Sequence, residues 1–244
     1  MSLKRVAPFC DSETHKKLCV AINSIADEYI CPITWKLPLH PVIAEDGRVY
    51  DHDAIKTYFD SQALDIVPSP CTRKMIGTRL IESTQIRNAI EQMVRSGAVD
   101  TDKAEEWIER IDNEDKFKYF CAKMNDDNVP DIKKLPSIYK IACCYAFGKG
   151  TNINFSLSFT YFERGLQICL DNESLWGKKY HAICLANMGI CFLHGRGVDE
   201  NKIYGISLIT EAASMGVAEA AALLGDFYWN NSLRRVLLYD IMVS

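Results

Sequence analysis

Apolar positions recur at helical spacing over most of the chain and at strand spacing in one short stretch. Leu18, Ile22 and Ile25 share a face of a helix predicted over residues 11–27, with Asp11 or Ser12 as its cap and Glu13 in its first turn. The periodicity then breaks. Cys31-Pro32-Ile33-Thr34 and Leu37-Pro38 read as loop, because proline restricts both itself and the residue before it. Two short apolar runs, Pro41–Ala44 and Val49–Tyr50, flank Glu45-Asp46-Gly47-Arg48 and predict a hairpin. A helix follows over 51–60 with Ile55, Tyr58 and Phe59 on its apolar side. Pro68-Ser69-Pro70 forces a second loop, and Ile86, Ile90 and Met93 mark a closing helix over 84–94. Further on, Trp107, Ile108 and Ile111, then Phe117, Phe120 and Met124, form helical stripes in an otherwise acidic stretch.

From residue 136 the pattern repeats. Ile141–Gly150 aligns with Met188–Gly197, each ending in Gly-x-Gly, and a third copy begins at Leu224-Gly225 without its Gly-x-Gly. The small residues Ala142, Gly189 and Gly225 mark where paired helices approach closely. The second helices run from Phe155 to Leu170 and from Lys202 to Met215, and an insertion near 170–181 explains the longer first spacing. No such unit buries its apolar face alone, so neighbours must stack into a solenoid. The recurring aromatics Tyr145, Phe192, Tyr228 and Trp229 are expected mostly in the core between repeats.

Composition narrows the classes. The 244 residues carry 28 basic and 32 acidic side chains, a net charge of −4, which gives no electrostatic case for nucleic acid or an anionic membrane. No apolar run approaches the roughly 20 residues of a membrane helix. Met1-Ser2-Leu3-Lys4-Arg5 meets charge and Pro8 before any apolar stretch, unlike a signal peptide. Residues 1–96 hold twelve basic and twelve acidic residues and 136–244 nine of each, so the whole excess lies in 97–135, with seven against eleven. The expected organisation is an N-terminal helix (1–27), a small domain (28–96), an acidic helical connector (97–135) and a helical repeat domain (136–244). Ten cysteines and five histidines invite a search for metal, but no cysteine pair has the two-residue gap of a zinc knuckle. Most cysteines stand in apolar helical contexts, as structural thiols in a reducing compartment. A cysteine nucleophile is the competing reading, without a histidine or electropositive setting to support it.

The small domain therefore holds loop, hairpin, helix, loop and helix in under 70 residues without a zinc set or a disulfide setting to staple it. That combination resembles the U-box, the metal-free relative of the RING finger. The matching residues are Tyr29–Thr34, Pro41–Ile43, Asp46–Tyr50, Ala54-Ile55, Tyr58-Phe59, Ser69–Arg73 and Leu80-Ile81. The repeats, through Gly195-Arg196-Gly197-Val198 and Ala212–Gly216, resemble Sel1-like repeats, relatives of the tetratricopeptide class. The implied fold is mostly α: a small α+β U-box followed by a helical Sel1-like solenoid.

The resemblance implies a U-box ubiquitin-protein ligase without cofactor or metal. A ubiquitin-conjugating enzyme carrying ubiquitin would dock on Ile33 of the first loop, Tyr58 of the central helix and Pro70 of the second loop. Arg73 would reach both the enzyme and its ubiquitin. No covalent intermediate forms; the ligase holds the thioester in a near-attack geometry for a substrate lysine. Each of these residues has a plainer role: Ile33 and Tyr58 in the core, Pro70 as a turn-former, Arg73 paired with Asp46 or Asp65. The family's loop-tying asparagine position holds Ser83 here, so that tie is predicted to be weaker or replaced. The repeats would recruit a protein substrate or adaptor, in the cytoplasm of the chain's own cell or of a host, and a homodimer is compatible with the family. The alternative is a non-catalytic scaffold that joins partners through its repeats.

Overall fold

The computed structural model describes residues 13–225 apart from 63, 171–173, 219 and 223. It divides into two compact units, with the boundary between Asp112 and Asn113. No helix among the described residues is long and apolar enough to cross a membrane.

In the first unit, α1 (Glu13–Glu28) leads into loop one, and β1 (Pro41–Ile43) and β2 (Val49–Asp51) form the expected hairpin. Gly47 makes its turn at φ +74, where a side chain would be strained. After α2 (His52–Gln62), a second hairpin of β3 (Ile66–Pro68) and β4 (Met75–Gly77) holds loop two between its strands. The short β5 (Ile81–Glu82) completes a sheet ordered β2-β1-β5, all antiparallel. Then come α3 (Thr84–Ser96) and α4 (Thr101–Met124).

Two cores hold this unit. Cys31, Val42, Ala44, Tyr50, Ile55, Phe59, Val67 and Ile76 pack between the hairpins and α2. Ala26, Leu37, Ile90, Val94, Val99, Ala104 and Trp107 pack where α1, α3 and α4 meet. The inward face of α1 differs from the expected one: Ile22 and Ala26 turn to the core, while Leu18 and Ile25 are about half exposed. At 100° per residue Leu18 and Ile25 lie to one side of Ile22 and Ala26 to the other, so the packed face is rotated toward Ala26. The cap positions Asp11 and Ser12 lie outside the described residues.

In the second unit, α5 (Asp131–Phe147) pairs with α6 (Phe155–Leu170), and α7 (Leu175–His194) with α8 (Lys202–Ser214). The two pairs match bond for bond at a constant offset. The carbonyl of Cys144 accepts from the N–H of Gly148 and of Lys149, and that of Cys191 from Gly195 and Arg196. Asn154 donates its N–H to Tyr145 and accepts from Leu157 on its side chain; Asn201 does the same with Phe192 and Tyr204. Where Ser158 Oγ donates to the Ala142 carbonyl, the second pair brings Gly205 against Gly189, and a Cβ on Gly205 would lie 2.7 Å from the Gly189 oxygen. The second glycine of each turn is equally constrained. A Cβ at Gly150 would meet the Asn113 carbonyl at 2.2 Å, and one at Gly197 the Phe155 carbonyl at 2.3 Å. Of the third copy only Leu224 and Gly225 are among the described residues; Tyr228 and Trp229 lie outside them.

Candidate functional site

The first unit presents two loops with one backbone design. In loop one the N–H of Cys31 donates to the Lys36 carbonyl (2.9 Å) and that of Trp35 to Cys31 (2.8 Å), with Trp35 at φ +58. In loop two the N–H of Ser69 donates to Lys74 (2.8 Å) and that of Arg73 to Ser69 (3.1 Å), with Arg73 at φ +62. The sequences Cys31-Pro32-Ile33-Thr34-Trp35-Lys36 and Ser69-Pro70-Cys71-Thr72-Arg73-Lys74 share proline, threonine and lysine at the second, fourth and sixth places. The first residue of each is fully buried, and each threonine buries its hydroxyl oxygen without a hydrogen-bond partner.

The loops are anchored differently. Ser69 Oγ donates to Asp46 Oδ2 at 2.5 Å and accepts from the N–H groups of Cys71 and Thr72. Tyr50 donates to the same carboxylate oxygen at 2.8 Å, and the Arg48 N–H donates to the other. Burial alone would raise the Asp46 pKa; the hydrogen bonds from Ser69, the Arg48 backbone and Tyr50 outweigh it and hold the carboxyl below its ordinary value. Burial, and then that same carboxylate, push the Tyr50 hydroxyl up, which keeps it a donor. Loop one is held from α4. Arg110 donates to the Leu37 carbonyl at 2.8 Å and to Asp51 Oδ2 at 2.9 Å, and Asp51 also accepts the Leu39 N–H. The buried Trp107 donates its Nε1–H to the Pro38 carbonyl at 3.2 Å, and Lys36 pairs with Glu106. Ser83 caps α3, accepting from the Ile86 N–H, and its own N–H donates to Pro41. Asp46 and Ser69 provide the anchor of loop two instead.

Ile33 and Tyr58 are half-buried and pack on the rim of the same core. Tyr58 is fixed to loop two, its hydroxyl donating to the Pro68 carbonyl at 2.7 Å. Pro70, two residues further, is half-buried, and Arg73, later in the same loop, is exposed. Asp46, a possible partner for Arg73 by sequence, is occupied by Ser69 and Tyr50. Trp35, 80% exposed at the place in loop one that Arg73 holds in loop two, belongs with this group. The shared Pro-x-Thr-x-Lys pattern is the signal that would have found it.

The buried cysteines make poor nucleophiles. Burial pushes the thiols of Cys143, Cys144 and Cys191 up, that of Cys169 to about 11 and that of Cys184 to about 12, so they stay protonated near neutrality. Among the described residues no three His, Cys, Asp or Glu side chains gather as a metal site would require.

Comparison with known proteins agrees with this geometry. Residues 25–116 match the family model of the U-box domain, and residues 135–166 and 182–217 match that of the Sel1 repeat. No curated protein matches. Among solved structures, a Sel1 repeat protein from Oxalobacter formigenes aligns at 20% identity over 50% of this chain and 98% of its own, with a TM-score of 0.31, too loose to bear on fold or function. The chain thus joins a U-box domain to a run of Sel1 repeats.

Proposed function

We propose that the chain is a ubiquitin-protein ligase in which the U-box docks a ubiquitin-conjugating enzyme and the repeats recruit the protein to be modified. At the level of the family a U-box implies ubiquitin transfer, and Sel1 repeats imply binding of other proteins. The observation that carries the finer reading is the pair of loops. One backbone design recurs in both loops, with Ile33 and Pro70 half-buried, Tyr58 bonded to the Pro68 carbonyl at the start of loop two, and Trp35 and Arg73 exposed at the two equivalent left-handed positions.

The chemistry asked of these residues is placement. Ile33, Tyr58, Pro70 and Trp35 supply apolar docking area, small enough to release a spent conjugating enzyme. The Arg73 guanidinium offers several donors for carbonyls of the enzyme and of its ubiquitin, restricting the thioester to attackable orientations. The bond exchange itself, from thioester to isopeptide, then needs no nucleophile from this chain.

The test is ubiquitin-chain formation with activating enzyme, a panel of conjugating enzymes, ubiquitin and ATP. Ile33→Ala is expected to reduce chain formation at least about tenfold while its melting temperature stays within a few degrees of the parent. No chains with any conjugating enzyme would leave the scaffold reading in its place. A large loss of stability in Ile33→Ala would make Ile33 a core residue. Ser83, the feature that favoured a scaffold, has no part in anchoring loop two.

A further inference from the structure

The start of α7 and the turn after α8 enclose a groove of about 990 Å³ within the second unit. Its walls are apolar: Leu175, Trp176, Ala182 and Ile183 from the helix, Met215 and Val217 from the turn. Leu175 is 88% exposed and Trp176 50%, unusual for side chains of that size on one helical turn. Trp176 is not loose. Its ring lies 5.5 Å from Tyr180, which sits 6.2 Å from Tyr139 on α5, so an aromatic row backs the groove. Gly216, at φ +90, keeps the turn free of a side chain.

Among the described residues that line the groove the charge is one-sided: Lys178 and Lys179 are exposed, none is acidic, and neither ammonium has an ion-pair partner among the described residues. In a chain of net charge −4, two unpaired cations beside an open apolar wall complement an occupant that is apolar at its centre and anionic at its edge. The volume sits at the upper end of the roughly 300–1,000 Å³ typical of small-ligand pockets, with room for several side chains rather than one.

We propose that this groove captures a peptide segment of another protein in which apolar or aromatic residues are flanked by aspartate or glutamate. The apolar side chains pack against Trp176, Ile183 and Met215, and the carboxylates meet Lys178 and Lys179. The inference rests on the repeats being the partner-recruiting part of the molecule. Its test reads binding rather than ubiquitin transfer, so the two fail separately.

The full chain is used to select from phage-displayed random peptides, and the most enriched peptide, labelled with fluorescein, is titrated by anisotropy. Enriched sequences should place acidic residues beside apolar ones. Affinity should fall at least about tenfold in Trp176→Ala and in the double variant Lys178→Glu/Lys179→Glu, and should weaken from about 50 to about 500 mM salt. A probe with its acidic residues changed to lysine should bind the double variant better than the parent chain. Circular dichroism checks that both variants fold, and the lysine pair, fully on the surface, keeps the test open should Trp176→Ala fail. Enrichment without acidic bias, or affinity indifferent to both variants, overturns the proposal. So does displacement of the probe by a synthetic peptide of residues 226–244, which would give the groove to the chain itself. A dimer that Trp176→Ala dissolves would give it to a second copy and overturn it equally.

Discussion

Loop one and loop two close the same ring, from the first N–H to the sixth carbonyl and from the fifth N–H back to the first, with the fifth residue left-handed in both. Their fifth residues are nonetheless a tryptophan and an arginine, and their first a cysteine and a serine. The backbone pattern fixes a shape and leaves the exposed fifth side chain free to serve recognition. What the buried first residue can do decides how the loop is held. Ser69 hydrogen-bonds, so loop two hangs on the Asp46 carboxylate. Cys31 only packs, so loop one depends on Trp107 and Arg110 reaching in from α4. Loop two is thereby tied through its own buried side chain, loop one through side chains that α4 brings to it.

The hardest blow to that contrast comes at Trp107. Trp107→Ala should cost about 3–5 kcal/mol in the first unit's unfolding transition, measured in denaturant. Trp107→Phe keeps most of the packing and should cost only about 1–2 kcal/mol. Equal losses would mean that the bond to Pro38, not the buried ring, does the holding.

Ser69→Ala comes next, at about 2–3 kcal/mol, because it leaves the Cys71 and Thr72 N–H groups and one acceptor site of Asp46 without their partner. Amide exchange should quicken at Cys71 and Thr72 and stay unchanged at Cys31 and Trp35. Equal loosening of both loops would break the claim that their anchors are independent.

Acid should act on loop two through Asp46, and more gently. The folded Asp46 carboxyl lies below its ordinary value of 3.8, so its contribution is complete above that value and drains away as pH falls through the folded pKa beneath it. The stability gap between the parent and Asp46→Asn should narrow over that window, and protection from exchange, relative to the intrinsic rate at each pH, should fall at Thr72 before it falls at Trp35. A gap that widens on acidification reverses the sign and refutes the assignment.

The smallest effect sharpens the likeness rather than the difference. Trp35→Gly and Arg73→Gly each relieve a left-handed side chain, and each should gain up to about 1 kcal/mol. Opposite signs in thermal melts would show that the two fifth positions are not equivalent.

Much of this architecture was legible in the chain. Gly47 between two apolar runs announced the first hairpin, and the Gly-x-Gly pairs announced both repeat turns, because such glycines report backbone demands directly. The second hairpin was hidden by Pro68 and Pro70, which read as loop although Pro68 ends β3 and loop two lies inside the hairpin. Trp107 displayed its helical stripe but not its reach to Pro38, 69 residues away, since no periodicity encodes a long-range partner. Ile33 and Tyr58 both pack on the rim of one core, whereas Trp35 escaped notice because it shares no chemistry with Arg73. On α1, Leu18 and Ile25 obey helical spacing, yet spacing does not say which edge of an apolar stripe meets its neighbours.

The contact between α7 and α8 limits how these repeats can be shuffled. The first pair keeps Ala142 opposite Ser158 and joins them by a hydrogen bond, while the second sets Gly189 against Gly205 with no space for a methyl group. A chimera that moves one helix of a pair into the other repeat would therefore carry either a wedge or a gap. The unit of exchange in this array is the matched helix pair, and new repeats can be added only as whole hairpins.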